Sequence, residues 1–195
     1  MLKEIKDIIR DSINVKNTLL EDEELISNIL KAVNIVVSSL RAGKKLLIAG
    51  NGGSAADSQH MAAELIGRLN IKERNPIPAI ALTTDTSVLT AISNDFGYEF
   101  VFEKQIQALA NPGDVFLVIS TSGNSINLVN AVNKAKNLGI ISIGLLGKDG
   151  GILKDLVDVP VIVKHNNTQR IQESHLLIEH IICELVEQKI SAILP

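Results

Sequence analysis

Apolar positions in the N-terminal part of the chain recur at three- and four-residue steps. Leu25, Ile26, Ile29, Leu30, Val33, Val36, Val37 and Leu40 form a helical stripe, and Gly43 is a natural stop. From Lys45 the pattern changes to short runs: Leu46-Leu47-Ile48-Ala49, Pro78-Ala79-Ile80-Ala81-Leu82, Val115-Phe116-Leu117-Val118-Ile119, Ile140-Ile141-Ser142-Ile143-Gly144 and Val159-Pro160-Val161-Ile162-Val163. Runs that are apolar throughout, without polar alternation, indicate strands covered on both faces, hence a parallel sheet between helix layers. Pro160 lacks an N–H to donate, which puts the fifth run at an edge. From Thr168 to about Ile190 the residues Ile171, Leu176, Leu177, Ile178, Ile181, Ile182, Leu185 and Val186 predict one long helix buried on more than one side.

Alternating strands and helices give a doubly wound α/β sandwich with a five-stranded parallel sheet. The expectation is a single domain over residues 1–195, with a helical region at 1–43 and the α/β core and C-terminal helix at 44–195. The long apolar helices at the two ends suggest packing against another subunit.

Composition narrows the function. Aromatic residues are only 3% of the chain and the net charge is −3, so neither stacking platforms nor a basic field favours nucleic acid. A single cysteine, Cys183, allows no intrachain disulfide and no thiolate metal cluster, and its apolar neighbours predict burial. The charged N-terminus does not read as a signal peptide, and no apolar run is long enough for a bilayer, so the expected compartment is the cytosol.

Two strand ends carry candidate anion loops. In Gly50-Asn51-Gly52-Gly53-Ser54-Ala55-Ala56 the glycines let backbone approach a ligand, and Ser54 is placed to cap the next helix; the plain reading is a tight turn. The spacing fits neither a dinucleotide fingerprint nor a P-loop, so no nucleotide is expected. After the third strand, Ser120, Thr121, Ser122 and Ser125 supply four hydroxyls around Gly123, more than a capped turn needs, which favours phosphate. His60 and Glu64 stand four apart on one predicted helix face; on the last helix Gln172 and His180, eight apart, are separated by roughly 80°. Carboxylate and imidazole suit proton transfer at carbon. An ordinary helix pair and a core-edge histidine explain the same spacing, and spacing alone favours those readings. A metal held by His60, Glu64, Gln172 and His180 has ordinary histidine and carboxylate donors but an uncommon glutamine, without a compact signature. His165 reads as a surface-loop residue.

The order of these segments resembles the SIS (sugar isomerase) domain, specifically the phosphoheptose isomerase family. The resemblance runs through Gly50-Asn51-Gly52-Gly53-Ser54-Ala55-Ala56-Asp57, His60, Glu64-Leu65 with Gly67-Arg68, Ala81-Leu82-Thr83-Thr84-Asp85 and Asn94-Asp95-Phe96-Gly97. It continues through residues 120–125, Gly147-Lys148-Asp149-Gly150-Gly151, and Arg170-Ile171-Gln172-Glu173 with His175 and His180. It implies a flavodoxin-like sheet and an aldose–ketose isomerase acting through an enediol. The reaction would convert sedoheptulose 7-phosphate to D-glycero-D-manno-heptose 7-phosphate, for the heptose of lipopolysaccharide or surface glycans. By the same resemblance Glu64 is the base and His180 the acid. Asn51, Gly52, Gly53, Glu64, Asn94, Asp95, Ser120, Thr121, Ser122, Ser125 and Gln172 contact substrate. The resemblance further implies one zinc per subunit, bound by His60, Glu64, Gln172 and His180, and a homotetramer in the bacterial cytoplasm. Gln169 stands where some members have Asp, so that residue's role does not transfer. Two alternatives remain. Non-catalytic SIS proteins that bind the replication initiator DnaA lack counterparts of Glu64 and His180, whereas isomerases of other sugar phosphates share the phosphate loops.

Overall fold

A computed structural model of the chain describes residues 1–192. The N-terminal helical region is two helices, α1 (Leu2–Glu21) and α2 (Glu23–Arg41). They break at Asp22, whose extended backbone leaves the helix while its carboxylate accepts the Leu25 N–H at 3.0 Å, an N-cap for α2. Lys164 reaches the same carboxylate at 3.1 Å. The Leu25 N–H, and then Lys164, hold this acid below the usual range of Asp. The break was hidden because the apolar stripe of α2 dominates the pattern, while α1 buries only Val15.

Next come β1 (Leu46–Gly50), α3 (Gly53–Ile66), β2 (Ala79–Ala81), α4 (Thr86–Phe96), α5 (Val101–Leu109) and β3 (Val115–Ser120). Then follow α6 (Ile126–Asn137), β4 (Ile141–Gly147), β5 (Val159–Val163) and α7 (Thr168–Ser191). The strands pair in parallel in the order β2-β1-β3-β4-β5, so β5, with Pro160, lies at an edge as expected. β1 and β3 each run one residue beyond their expected ends, to Gly50 and Ser120, and two strands depart further. β2 shortens to three residues, because pairing begins only after Pro78, and β4 extends through Leu145 and Leu146 to Gly147.

Alternate strand residues feed two cores. Leu46, Ile48, Val115, Leu117 and Ile119 face α2, α3 and α7, with Val15 of α1 at the margin. Leu47, Ala49, Phe116 and Val118 face α5 and α6, with Leu89 and Ile92 of α4 packed against them. α1 rests on α7 through polar contacts: Arg170 donates to the Ile8 carbonyl at 2.8 Å and to Glu173 at 2.7 Å, and Ser12 also donates to Glu173. Its other side leaves Leu2, Ile5, Ile9 and Ile13 exposed. No helix among the described residues is long and apolar enough to cross a membrane.

The cap at Asp22 gives a direct test. Asp22→Ala is expected to lower stability by about 1 kcal/mol, and Asp22→Asn by less, because asparagine retains the accepting oxygen. Urea titration at neutral pH measures both; no change in the alanine variant would remove the cap from the account of the α1–α2 break.

Candidate active site

The sheet order reverses between β1 and β3, the place where open parallel sheets hold ligands beyond the strand ends. Gly50 and Ile119 are register partners there, so the two candidate anion loops leave the sheet side by side. The first begins α3, but its cap is Gly52, with φ of 58°, and no side chain. Ser54 lies inside the first turn, buried, with its carbonyl accepting Ser58 Oγ at 2.8 Å. It therefore does not cap the helix. The Gly52–Gly53 pair starts the helix two residues earlier, because a left-handed backbone at Gly52 needs no Cβ clearance.

Asn51 is fixed by residues that the motif does not reveal. Its side-chain amide exchanges reciprocal hydrogen bonds with Asn127 at 3.0 and 2.9 Å, and Tyr98 donates to its oxygen at 3.0 Å. Asn127 is buried on α6, directly after the second loop. In that loop Ser120 Oγ accepts the Gly123 N–H and Ser122 Oγ accepts the Asn124 N–H. Ser125 is the N-cap of α6 without using its hydroxyl. The glycine turn after β4 supports the loop: Leu153 donates to the Gly123 carbonyl and Ile152 to the Asn124 side chain. A Cβ on Gly123 would collide with the Gly150 carbonyl, and φ there is +66°. Asn94 and Asp95, bonded to each other, lie exposed near the end of α4.

Helix α3 lies along α7. Gly53 meets the Gln172 amide, where an added Cβ would come within 2.5 Å; His60 meets His180; and Cys183 Sγ contacts the Met61 carbonyl at 4.0 Å. These contacts advance together along both helices, so the two run in the same direction. His60, Glu64 and His180 converge: their donor atoms all lie within 4.8 Å of one another, half-buried. The Nε2 atoms of His60 and His180 are 2.9 Å apart, and Glu64 Oε1 is 3.7 Å from His60 Nε2. Gln172 lies eight residues before His180, about 12 Å along α7, with its amide turned to Gly53.

The donor set fits a zinc ion. Zinc–nitrogen bonds of about 2.0–2.1 Å in tetrahedral geometry separate two ligand nitrogens by about 3.3 Å, close to the observed histidine spacing. Imidazole nitrogens and a carboxylate oxygen are ordinary donors to that ion.

Unpartnered polar groups lie behind the cluster. Glu179 is 1% exposed and neither oxygen is hydrogen-bonded among the described residues. Burial, with the Asp57 charge adding to it, pushes its acid up to about 8. Asp57 is itself raised by burial, against the opposing charge of His60. His175 is fully buried near the Leu146 backbone, with neither ring nitrogen in hydrogen-bond geometry among the described residues, and burial lowers it to about 4. Cys183 is buried, as expected.

Folded Glu179 keeps its proton up to about pH 8, whereas the unfolded chain releases it near 4.5. Between those values the unfolded state binds fewer protons, so stability falls as pH rises. Glu179→Gln is expected to gain on the wild type by up to about 1.4 kcal/mol per pH unit across that window. Denaturant titrations at several pH values read this gap, and parallel curves would show that Glu179 is ionised in the folded protein.

The SIS domain family matches residues 12–147. A phosphoheptose isomerase of Sulfurimonas denitrificans is 50% identical over 190 residues, 97% of each chain. One of Geobacter metallireducens is 53% identical over 167 residues, 86% of this chain and 88% of its own. The structure of phosphoheptose isomerase GmhA from Neisseria gonorrhoeae has a TM-score of 0.89 at 41% identity, covering 96% of this chain and 100% of that one. That of a phosphoheptose isomerase from Francisella tularensis has the same TM-score at 37% identity, covering 96% and 98%. The chain belongs to the SIS domain family and, within it, to the phosphoheptose isomerases.

Proposed function

We propose that this protein isomerises sedoheptulose 7-phosphate to D-glycero-D-manno-heptose 7-phosphate. The observation that carries the mechanism is the convergence of Glu64 and His180 from two helices on one small volume beside His60. With the sugar ring open, the Glu64 carboxylate removes a proton from C1, next to the C2 ketone. His180 gives a proton to the carbonyl oxygen, forming the enediol. Removing the proton from O1 and returning one to C2 from Glu64 yields the aldose, so the sugar's atoms balance without an external reductant. Asn51, Gly52 and Gly53, with Asn94 and Asp95, hold the sugar, and Ser120, Thr121, Ser122 and Ser125 hold the phosphate. Binding the distant phosphate fixes the reacting carbons without taking part in proton transfer. Hydroxyl and backbone donors suit this task in a chain with net charge −3.

His60, Glu64, Gln172 and His180 are the residues that would hold zinc, with Gln172 turning from Gly53 towards the cluster. When bound, zinc would polarise the substrate's oxygens and favour the enediolate, with Glu64 shifting from the ion to act as base; the metal-free cluster leaves His180 to act as acid. The chain is assigned to a single domain over residues 1–195 and to the bacterial cytoplasm. The exposed apolar row Leu2, Ile5, Ile9 and Ile13 on α1 supports a contact between subunits, which we assign to a homotetramer.

Purified protein should convert sedoheptulose 7-phosphate, and Glu64→Gln and His180→Gln should each lose about 10²–10⁴-fold in kcat while remaining folded. Absence of turnover in wild type supplied with zinc would reject this substrate. Chelation is expected to lower turnover at least about tenfold, with recovery on adding one equivalent of zinc; full activity after complete metal removal would reject a catalytic metal. Gly123→Ala is expected to raise KM about tenfold or more, since the phosphate loop must move off Gly150. An unchanged KM would place phosphate recognition elsewhere.

A further inference from the structure

The last turn of α3, which carries Glu64, is held by a buried ion pair that the proton-transfer chemistry does not use. After Ile66 the chain loops back towards β2, and within that loop lies Arg74, whose side chain is 3% exposed. Its Nε donates to Glu187 Oε1 at 2.6 Å, Nη1 to the Asn75 carbonyl at 3.0 Å, and Nη2 to the main-chain carbonyl of Glu64 at 2.7 Å. Glu187, 1% exposed on α7, also accepts the N–H groups of Leu69, Asn70 and Ile71 at 3.0, 2.8 and 3.1 Å. Burial alone would raise the Glu187 acid; Arg74 and the three N–H groups outweigh it and bring it to about 2.

The carbonyls of a helix's last turn have no intrahelical partners, and that turn frays unless something binds them. Here Gly67 takes Ala63, Ile77 takes Leu65, and the guanidinium takes Glu64. The cation also sits favourably at the negative end of the helix dipole. A buried ion pair is a poor source of net stability, since apolar residues of the same shape often do as well. What it supplies is fixed geometry. Glu187 follows His180 by seven residues, close to two whole turns, so both lie on one face of α7. That face meets His60 with one residue and the anchor behind Glu64 with the other.

We propose that Arg74 and Glu187 are positioning residues that hold the end of α3 against α7, so that Glu64 faces His60 and His180. The proposal rests on the reading of Glu64 as the base. Arg74→Lys is the selective variant, because lysine keeps a cation beside Glu187 but cannot also reach the Glu64 and Asn75 carbonyls. Glu187→Gln, which keeps shape and one accepting oxygen, is the second. Val132→Ala, buried in the opposite layer, controls for general loss of stability.

The measurements are kcat and KM, thermal melting, and the imidazole ¹H–¹⁵N resonances of His60 and His180 in metal-free protein. In Arg74→Lys we expect kcat to fall about tenfold to a hundredfold with KM within about twofold. The imidazole resonances should shift or broaden. Val132→Ala should leave kcat and the resonances unchanged at an equal or larger loss of melting temperature. If Arg74→Lys does not fold, Glu187→Gln carries the same expectations. Wild-type kcat with unmoved resonances, or a loss that Val132→Ala reproduces, would overturn the proposal. If Glu64→Gln keeps full turnover, the base assignment is what fails, and the resonances alone decide whether the anchor positions α3.

Discussion

The contact between α3 and α7 is the constraint on which the site depends. Both helices follow strands of one parallel sheet and pack on the same face, so they run in the same direction and can meet residue for residue. Gly53 lies under the Gln172 amide, His60 against His180, and Met61 against Cys183, so a shift of one helix along the other would part the two imidazoles, now 2.9 Å apart.

That contact is polar at its centre, which is unfavourable for stability. Among the described residues Glu179 is buried without a hydrogen-bond partner, Asp57 is raised by burial beside it, and His175 is buried near Leu146. The two cores on either face of the sheet offset this cost, with central residues such as Phe116, Leu117 and Val118 fully enclosed. A region that breaks packing rules inside a well-packed frame is what a functional site looks like physically.

Much of this frame was legible in the residues. Uninterrupted apolar runs specified parallel strands, and Pro160 placed the last at an edge, because both signals are local. The break at Asp22 was not legible: its capping role needs Leu25 N–H and Lys164 in space, and the second lies 142 residues away. Ser54 looked like a helix cap, yet a left-handed Gly52 made an earlier start available. The meeting of His60, Glu64 and His180 could not be inferred from spacing, since helical periodicity fixes only the pair on α3. Family resemblance carried the third member. Asn127, Tyr98, Arg74 and Glu187 escaped notice because each acts through a partner far along the chain. The one available hint was a polar side chain within an apolar helical stretch, as Asn127 is before Leu128 and Val129.

His60 and His180 are separated by 120 residues, and no shorter segment contains both halves of the cluster. α7 also supplies Ile171, Ile178, Ile182, Cys183 and Val186 to the core on one face of the sheet. The cluster therefore closes only when α7 docks, and any cut or unfolding event that releases α7 opens it together with that core.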